Sequence, residues 1–306
     1  MKRVTLASGI ALDVLDTGPA DAPAILFLHG FPEDHRTWRH QIAHLSGRFR
    51  CIAPDLRGYR GSSKPQDVAD YAPEKLVADV FQLADSLGLG NFTVAGHDWG
   101  GALAWLVATL GQDMRVNRAI IANAPHPALF QALQWTDPAQ RAASQYIRTF
   151  RDPANDALVR AQGLGPLLVK AFGGSGFDRL SPEERARVLA LATDPDLREA
   201  RLADRSDSAT AFAMLNWYRA SPIDVPPLDA PYGLGEGREL RPLPPLAIPT
   251  LVVWAEDDIA LPPANLAGLE HHVRDLTVVR VPGCGHFVTW QAPDAVNAAI
   301  DAFLAR

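Results

Sequence analysis

The chain has 306 residues, 47% of them hydrophobic and 21% charged. That balance can bury a substantial core in one enlarged domain or two, and it excludes the polar bias of a disordered segment. The formal net charge of −6 comes without a Lys/Arg run, which excludes the basic footprint that nucleic acid requires.

Cys51 and Cys284, the two cysteines, are too few for a disulfide framework in so long a chain and are read as structural thiols. The first 16 residues lack the basic and apolar regions of a leader. No stretch approaches the roughly 20 apolar residues that span a bilayer. A cytoplasmic chain without a membrane span is expected; oligomeric state is left open.

In chain order, residues 3–17 alternate polar and apolar like two short strands joined through Ser8-Gly9, a hairpin at a sheet edge. The pattern then changes. Short apolar runs at 25–28, 51–53, 92–95 and 119–122 alternate with helical segments at 73–87 and 101–110, the rhythm of a parallel sheet covered by helices. The 73–87 segment sets Leu76, Val77, Val80, Phe81, Ala84 and Leu87 on one stripe, with Pro73 at its start and Gly88 past its end. From 127 to 241 the rhythm stops, and helical segments punctuated by Pro and Gly follow, as in an inserted cap. Residues 221–249 hold eight of the 25 prolines and read as a stiff return strap. Sheet rhythm resumes with a strand at 250–255, a helix from about Pro263, a strand at 276–281 and a closing helix at 293–304.

Asp98 stands in Gly96-His97-Asp98-Trp99-Gly100, between the 92–95 strand and a helix opening at Gly100-Gly101. Such a turn needs small flanking residues, because strand and helix pass closely while the central residue holds a strained backbone. A helix N-terminus favours the ionised carboxylate, and an ionised carboxylate attacks carbon. The plainer reading of Asp98 is a helix N-cap.

His286 lies in the loop Gly283-Cys284-Gly285-His286-Phe287, which can deliver an imidazole to the C-terminal edge of the sheet. His29 and His97 abut the turns and are expected to bond loop backbone, whereas His271-His272 are expected in solvent. No HExxH or CxxC spacing suggests a metal. Asp258 precedes His286 in the order nucleophile, acid, histidine and would orient the imidazole; Glu256 and Asp257 compete for that role. His29-Gly30-Phe31-Pro32 follows the 25–28 strand, so the N–H groups of Phe31 and Trp99 can converge as an oxyanion hole.

These segments resemble the α/β-hydrolase-fold epoxide hydrolases over nearly the whole chain. The resemblance rests on His29-Gly30-Phe31-Pro32-Glu33, Asp55-Leu56-Arg57-Gly58-Tyr59, Gly96 to Gly101, Asn216-Trp217-Tyr218-Arg219 and Gly285-His286-Phe287. It implies an α/β fold with a mostly parallel central sheet, a core of residues 1–126 and 246–306, and a helical cap over 127–245. It further implies that two cap tyrosines hydrogen-bond the epoxide oxygen. Tyr218 matches one of them and Tyr146 the other; Tyr232 lies in the strap.

The implied reaction has two steps and requires neither metal nor cofactor. Asp98 opens a small hydrophobic epoxide to an ester, and water activated by His286 releases a vicinal diol. Phe31, Trp99, Phe150 and Trp217 are expected to bind substrate and exclude bulk water. Arg60 stands where the family commonly has glycine, which puts the geometry of that loop in question. The first alternative is a haloalkane or haloacid dehalogenase with the same Asp-His-Asp logic, although Phe31 and Trp99 replace residues usual in those enzymes. An esterase would want serine at position 98, and a noncatalytic ligand-binding protein of this fold need not keep Asp98, Asp258 and His286.

Overall fold

The alternating N-terminus forms the hairpin expected of it, Lys2–Thr5 (β1) against Ala11–Thr17 (β2), in the computed structural model, which describes residues 1–173, 180–234 and 243–306. Six further strands complete the sheet: Ala24–Leu28 (β3), Arg50–Pro54 (β4), Phe92–His97 (β5), Val116–Ala122 (β6), Thr250–Ala255 (β7) and Leu276–Val281 (β8). Their order is β1-β2-β4-β3-β5-β6-β7-β8, antiparallel as far as β2–β4 and parallel from β4 onward. Successive side chains of β3 enter opposite cores, Ile25 and Phe27 on one face and Leu26 and Leu28 on the other, as strand geometry requires. Because helices cover both faces, β3, β5 and β7 are buried at every residue.

Helix α1 (Arg39–Leu45) covers the Phe27 face, while α2 (Pro73–Ser86) and α3 (Trp99–Gly111) cover the Leu26 face. Leu76, Val77, Val80, Leu83 and Ala84 of α2 are buried, with Phe81 and Leu87 half-buried. A fully buried large apolar side chain contributes about 1.5–3 kcal/mol, so this stripe rather than helix propensity holds α2 in place. Gly88 ends the helix at φ +64. A charge is also buried there: Asp79 accepts from Arg57 Nε at 2.8 Å and Nη2 at 2.6 Å. This pair ties the 55–61 loop to α2. Arg60 in that loop has φ +44, left-handed backbone in which a side chain costs about 1–2 kcal/mol. Its guanidinium lies 3.6 Å from Asp55 and 3.7 Å from Asp34, so the loop keeps a backbone conformation suited to glycine while adding a cation.

Between β6 and β7, the described residues hold eight helices and no strand: Pro127–Thr136 (α4), Pro138–Ala143 (α5), Gln145–Arg151 (α6), Asp156–Gln162 (α7), Gly165–Phe172 (α8), Pro182–Leu191 (α9), Arg198–Ser206 (α10) and Ser208–Ala220 (α11). The proline-rich strap is non-helical where described; its stretch through Arg241 lies outside the described residues. Val288–Gln291 (α12) and Pro293–Leu304 (α13) close the chain. The helix expected from Pro263 is instead two 3-10 turns, Pro263–Leu266 and Leu269–His271. Gly268, at φ +86, breaks the path between them. No helix among the described residues is long and apolar enough to cross a membrane. Cys51 and Cys284 are buried free thiols, which burial pushes up to about 12 and about 11.

Charge fastens the insertion to the sheet. Arg201 of α10 donates to Asp34 at 2.6 Å and lies 3.5 Å from Glu33, all three nearly inaccessible. Burial would raise the Asp34 carboxyl, but Arg36 and Arg201 together hold it well below the usual carboxylate range. Arg39 pairs with Asp194 and Asp196, and Arg36 reaches Asp204 at 3.5 Å. Arg201→Met leaves two carboxylates short of a buried partner, so urea unfolding is expected to show a loss of about 3 kcal/mol. A loss below about 1 kcal/mol would mean that Arg36 alone satisfies the pocket.

Candidate active site

The strand order reverses around β3, so the loops leaving β3 and β5 diverge and open a crevice at the C-terminal edge of the sheet. Asp98 sits at the end of β5 with φ +51 and ψ −123, a strained conformation of the kind that collects at functional turns. A Cβ on Gly100 would run into the Leu28 and His29 carbonyls, so glycine alone lets α3 start this close to β3. Asp98 precedes α3, but its side chain makes no capping hydrogen bond, which disposes of the N-cap alternative. Instead its Oδ1 accepts from Phe31 N–H at 2.6 Å and its Oδ2 lies 3.4 Å from His286 Nε2. Trp99 begins α3, so its amide belongs to the first turn, whose N–H groups have no partner within the helix.

His286 Nδ1 lies 2.7 Å from Asp258 Oδ2, which also accepts from Asn123 Nδ2 at 2.8 Å. Asp258 Oδ1 accepts the Ala260 and Leu261 amides at 2.8 and 3.0 Å. Every lone-pair direction of this buried carboxylate is therefore engaged, fixing the oxygen that orients the imidazole. Its neighbours point elsewhere: Glu256 pairs with Arg280 at 3.2 Å, and Asp257 is exposed. Burial alone would lower His286, but the charges and hydrogen bonds of Asp258 and Asp98 raise its pKa well above the ordinary 6.5. Burial would likewise raise Asp98, yet His286, His97 and the Phe31 amide bring it below its ordinary 3.8. Each charge favours the ionised form of the other, which points the resting pair toward carboxylate and imidazolium.

Asn123 carries no motif that singles it out. At φ +38 it follows β6, and its Oδ1 accepts the Ala255 amide at 2.8 Å. It thereby ties the end of β6 to the start of the Asp258 loop. Glu33, the last residue of the His29–Glu33 segment, ties loops in the same way, accepting from Thr37 at 2.6 Å and from Trp290 at 2.9 Å, 3.6 Å from buried His97. His97 donates through Nε2 to the His286 carbonyl at 2.9 Å, and His29 Nε2 accepts the Leu56 amide at 2.9 Å. Both histidines therefore bond loop backbone. Of the His271-His272 pair, only His271 is exposed; His272 is half-buried and stacks on His126 at 4.3 Å.

Above Asp98 and His286 lies a cavity of about 740 Å³, its open mouth included. Phe31, Tyr146 and Tyr218 line it, with Leu168, Phe172 and Val188 from the insertion. The two tyrosine rings, from α6 and α11, meet edge to face at 6.0 Å. Burial and then nearby negative charge, with Asp98 contributing to each, raise both phenols well above the ordinary 10, so both stay protonated and free to donate. Three residues expected to touch substrate stand behind this wall. Phe150 is fully buried and packs on Phe31 at 5.1 Å and Tyr218 at 4.9 Å. Trp217 donates to the Arg57 carbonyl at 2.9 Å and packs on Trp99 at 6.1 Å, while the Trp99 ring meets Tyr218 at 5.0 Å. Large aromatic rings at a cavity serve as readily to support its wall as to form it. Asp34, His35 and Asp55 bring potential metal-ligand atoms within 4.8 Å of one another, but Arg36, Arg201 and the His35–Asp55 bond occupy those carboxylates.

Residues 23–293 match the model of the alpha/beta hydrolase fold family. The chain is 32% identical to epoxide hydrolase 3 of Xenopus tropicalis over 97% of its own length and 75% of that protein's. This chain belongs to the epoxide hydrolase family of the alpha/beta hydrolase fold. Among solved members, an epoxide hydrolase from metagenomes of hot environments is 62% identical, with a TM-score of 0.91 over 99% of this chain and 97% of that one. A mutant epoxide hydrolase from Bacillus megaterium, bound to its naphthyloxypropanediol product, is 27% identical, with a TM-score of 0.78 over all of both chains.

Proposed function

We propose that the protein hydrolyses small hydrophobic epoxides to vicinal diols through an ester of Asp98. The reading is carried by the placement of Tyr146 and Tyr218, protonated and on separate helices, in one cavity with an ionised carboxylate. Residues 127–245 then act as a cap on a core of residues 1–126 and 246–306, while Asp98, His286 and Asp258 form the catalytic triad. Asp98 Oδ1 is held by the Phe31 amide, which leaves Oδ2 to attack a ring carbon. As the new C–O bond forms, the ring C–O bond breaks, and a tyrosine hydroxyl delivers its proton to the departing oxygen.

With Asp98 esterified, His286 gives up its proton, which restores the tyrosine hydroxyl; water then adds to Asp98 Cγ while the neutral His286 Nε2 takes its proton, and the Phe31 and Trp99 amides hold the oxyanion. Collapse breaks the ester C–O bond, the proton of the added hydroxyl passes to the departing diol oxygen, and the Asp98 carboxylate and His286 imidazolium are regenerated. The dehalogenase alternative does not call for phenols as acids, because a departing halide needs hydrogen-bond stabilisation but no proton.

A single turnover in heavy-oxygen water tests this sequence. The label is expected in the Asp98 peptide by mass spectrometry and absent from the first diol released. Label in that first diol, with none in Asp98, would exclude the ester. Release of halide from a haloalkane without diol from an epoxide would favour the alternative.

A further inference from the structure

The cavity wall distributes its charge unevenly. Its ionisable residues besides the two phenols are Asp98, His286 and Asp257, and no lysine or arginine lines it among the described residues. Asp98 and His286 offset each other as an ion pair, with the Asp258 carboxylate adding negative charge behind them. Asp257 stands apart from this assembly. It is exposed yet lines the cavity, so it sits at the mouth, and no salt bridge among the described residues engages it. Its backbone N–H donates to the Cys284 carbonyl at 3.0 Å, which fixes its loop to the one carrying His286. The same wall includes apolar and neutral side chains, among them Leu191 and Ile259, 55% and 60% exposed, and the amide of Gln291. Low-dielectric walls focus the field of a lone charge along a cleft.

We propose that Asp257 is a specificity-determining residue whose carboxylate, at the mouth of a cavity lined by no lysine or arginine among the described residues, disfavours epoxides carrying a distal carboxylate and favours neutral or ammonium-bearing ones. The proposal rests on the epoxide reading above. It adds that an epoxide of a long-chain acid is a poor substrate although its apolar body fits.

The test uses three epoxides with one apolar body, ending in a carboxylate, a carboxamide or an ammonium group. Their kcat/KM values are compared on the full chain, on Asp257→Asn and on Glu256→Gln, the neighbouring acid that lies outside the cavity wall. Asp257→Asn is expected to raise the carboxylate-to-carboxamide ratio roughly three- to tenfold and to lower the ammonium-to-carboxamide ratio similarly, with both changes shrinking as salt shortens the range of the charge. Glu256→Gln is expected to leave both ratios in place. Ratios unchanged in Asp257→Asn, or shifted equally by Glu256→Gln, would overturn the proposal. The corresponding diols, bound without turnover and followed by calorimetry, give binding ratios that are expected to shift in the same directions. Absence of diol from every epoxide would therefore count against the proposed reaction, while the binding ratios still decide the role of Asp257.

Discussion

His286→Gln is expected to stop the enzyme after one chemical step, with the protein gaining the full mass of one substrate molecule. Ring opening adds the whole epoxide to Asp98, since no leaving group departs, so the adduct weighs as much as the substrate. Its hydrolysis requires a base at the position of Nε2, and glutamine supplies none. A positioned general base typically contributes 10²–10⁴-fold, so steady-state turnover should fall by about 10³-fold or more while the first, stoichiometric step persists. Intact-protein mass spectrometry after brief exposure to substrate reads the result. Loss of turnover without adduct would show that water, not Asp98, attacks the epoxide.

The pH dependence follows from the same pair. In the resting enzyme Asp98 and Asp258 hold a proton on His286, and alkylation removes the negative charge of Asp98. The His286 pKa then falls, the imidazole loses its proton, and it becomes competent as a base. Ester hydrolysis should therefore rise with pH through a value lower than that of His286 in the free enzyme. For stability the signs are opposite. A histidine whose folded pKa is raised stabilises fully below its unfolded value near 6.5 and loses that contribution as pH rises through the folded value. The depressed Asp98 stabilises above its unfolded value near 3.8 and loses that contribution on acidification.

The second large effect concerns the phenols. Replacing both Tyr146 and Tyr218 by phenylalanine is expected to lower the rate of ester formation by about 10³–10⁴-fold, and either replacement alone by roughly 10–100-fold. A hydrogen bond to a charged group is worth about 1.5–3 kcal/mol, and each 1.36 kcal/mol is a factor of ten in rate. The rings themselves are retained, so the packing of Tyr218 on Phe31 at 5.0 Å and of Tyr146 on Phe172 at 5.2 Å survives. Single-turnover mixing that follows enzyme alkylation measures this step alone. If the double variant alkylates within threefold of the parent, the ring oxygen is stabilised by something else. A Tyr146→Phe variant as active as the parent would reduce that residue to packing.

The sequence exposed whatever is local. The strands at 250–255 and 276–281 and the closing helix at 293–304 match the structure residue for residue, because apolar runs bounded by turn residues carry their own signal. The convergence of Asp98, His286 and Asp258, which the structure brings into contact, is signalled locally by glycine-flanked turns and by chain order. Arg201 against Glu33 and Asp34 is not: 167 residues separate Arg201 from Asp34, and no pattern marks a charge for burial. Nor did anything in the sequence separate Leu168 and Phe172, which face the cavity, from Phe150, which supports it, since all three are apolar residues on amphipathic helices. Asn123 escaped because a single amide at a strand end has no spacing to recognise.

The buried contact of Arg201 with Glu33 and Asp34 sets a rule for building chimaeras from this fold. A helical insertion moved alone onto another sheet would bring a guanidinium into a socket lacking its carboxylates, and the sheet it left would keep two acids short of one guanidinium. Each mismatch strands charge away from water. Exchange of these helices should therefore succeed only when the segment from Glu33 to Arg39 travels with them, so the transferable unit is split across two distant stretches of chain.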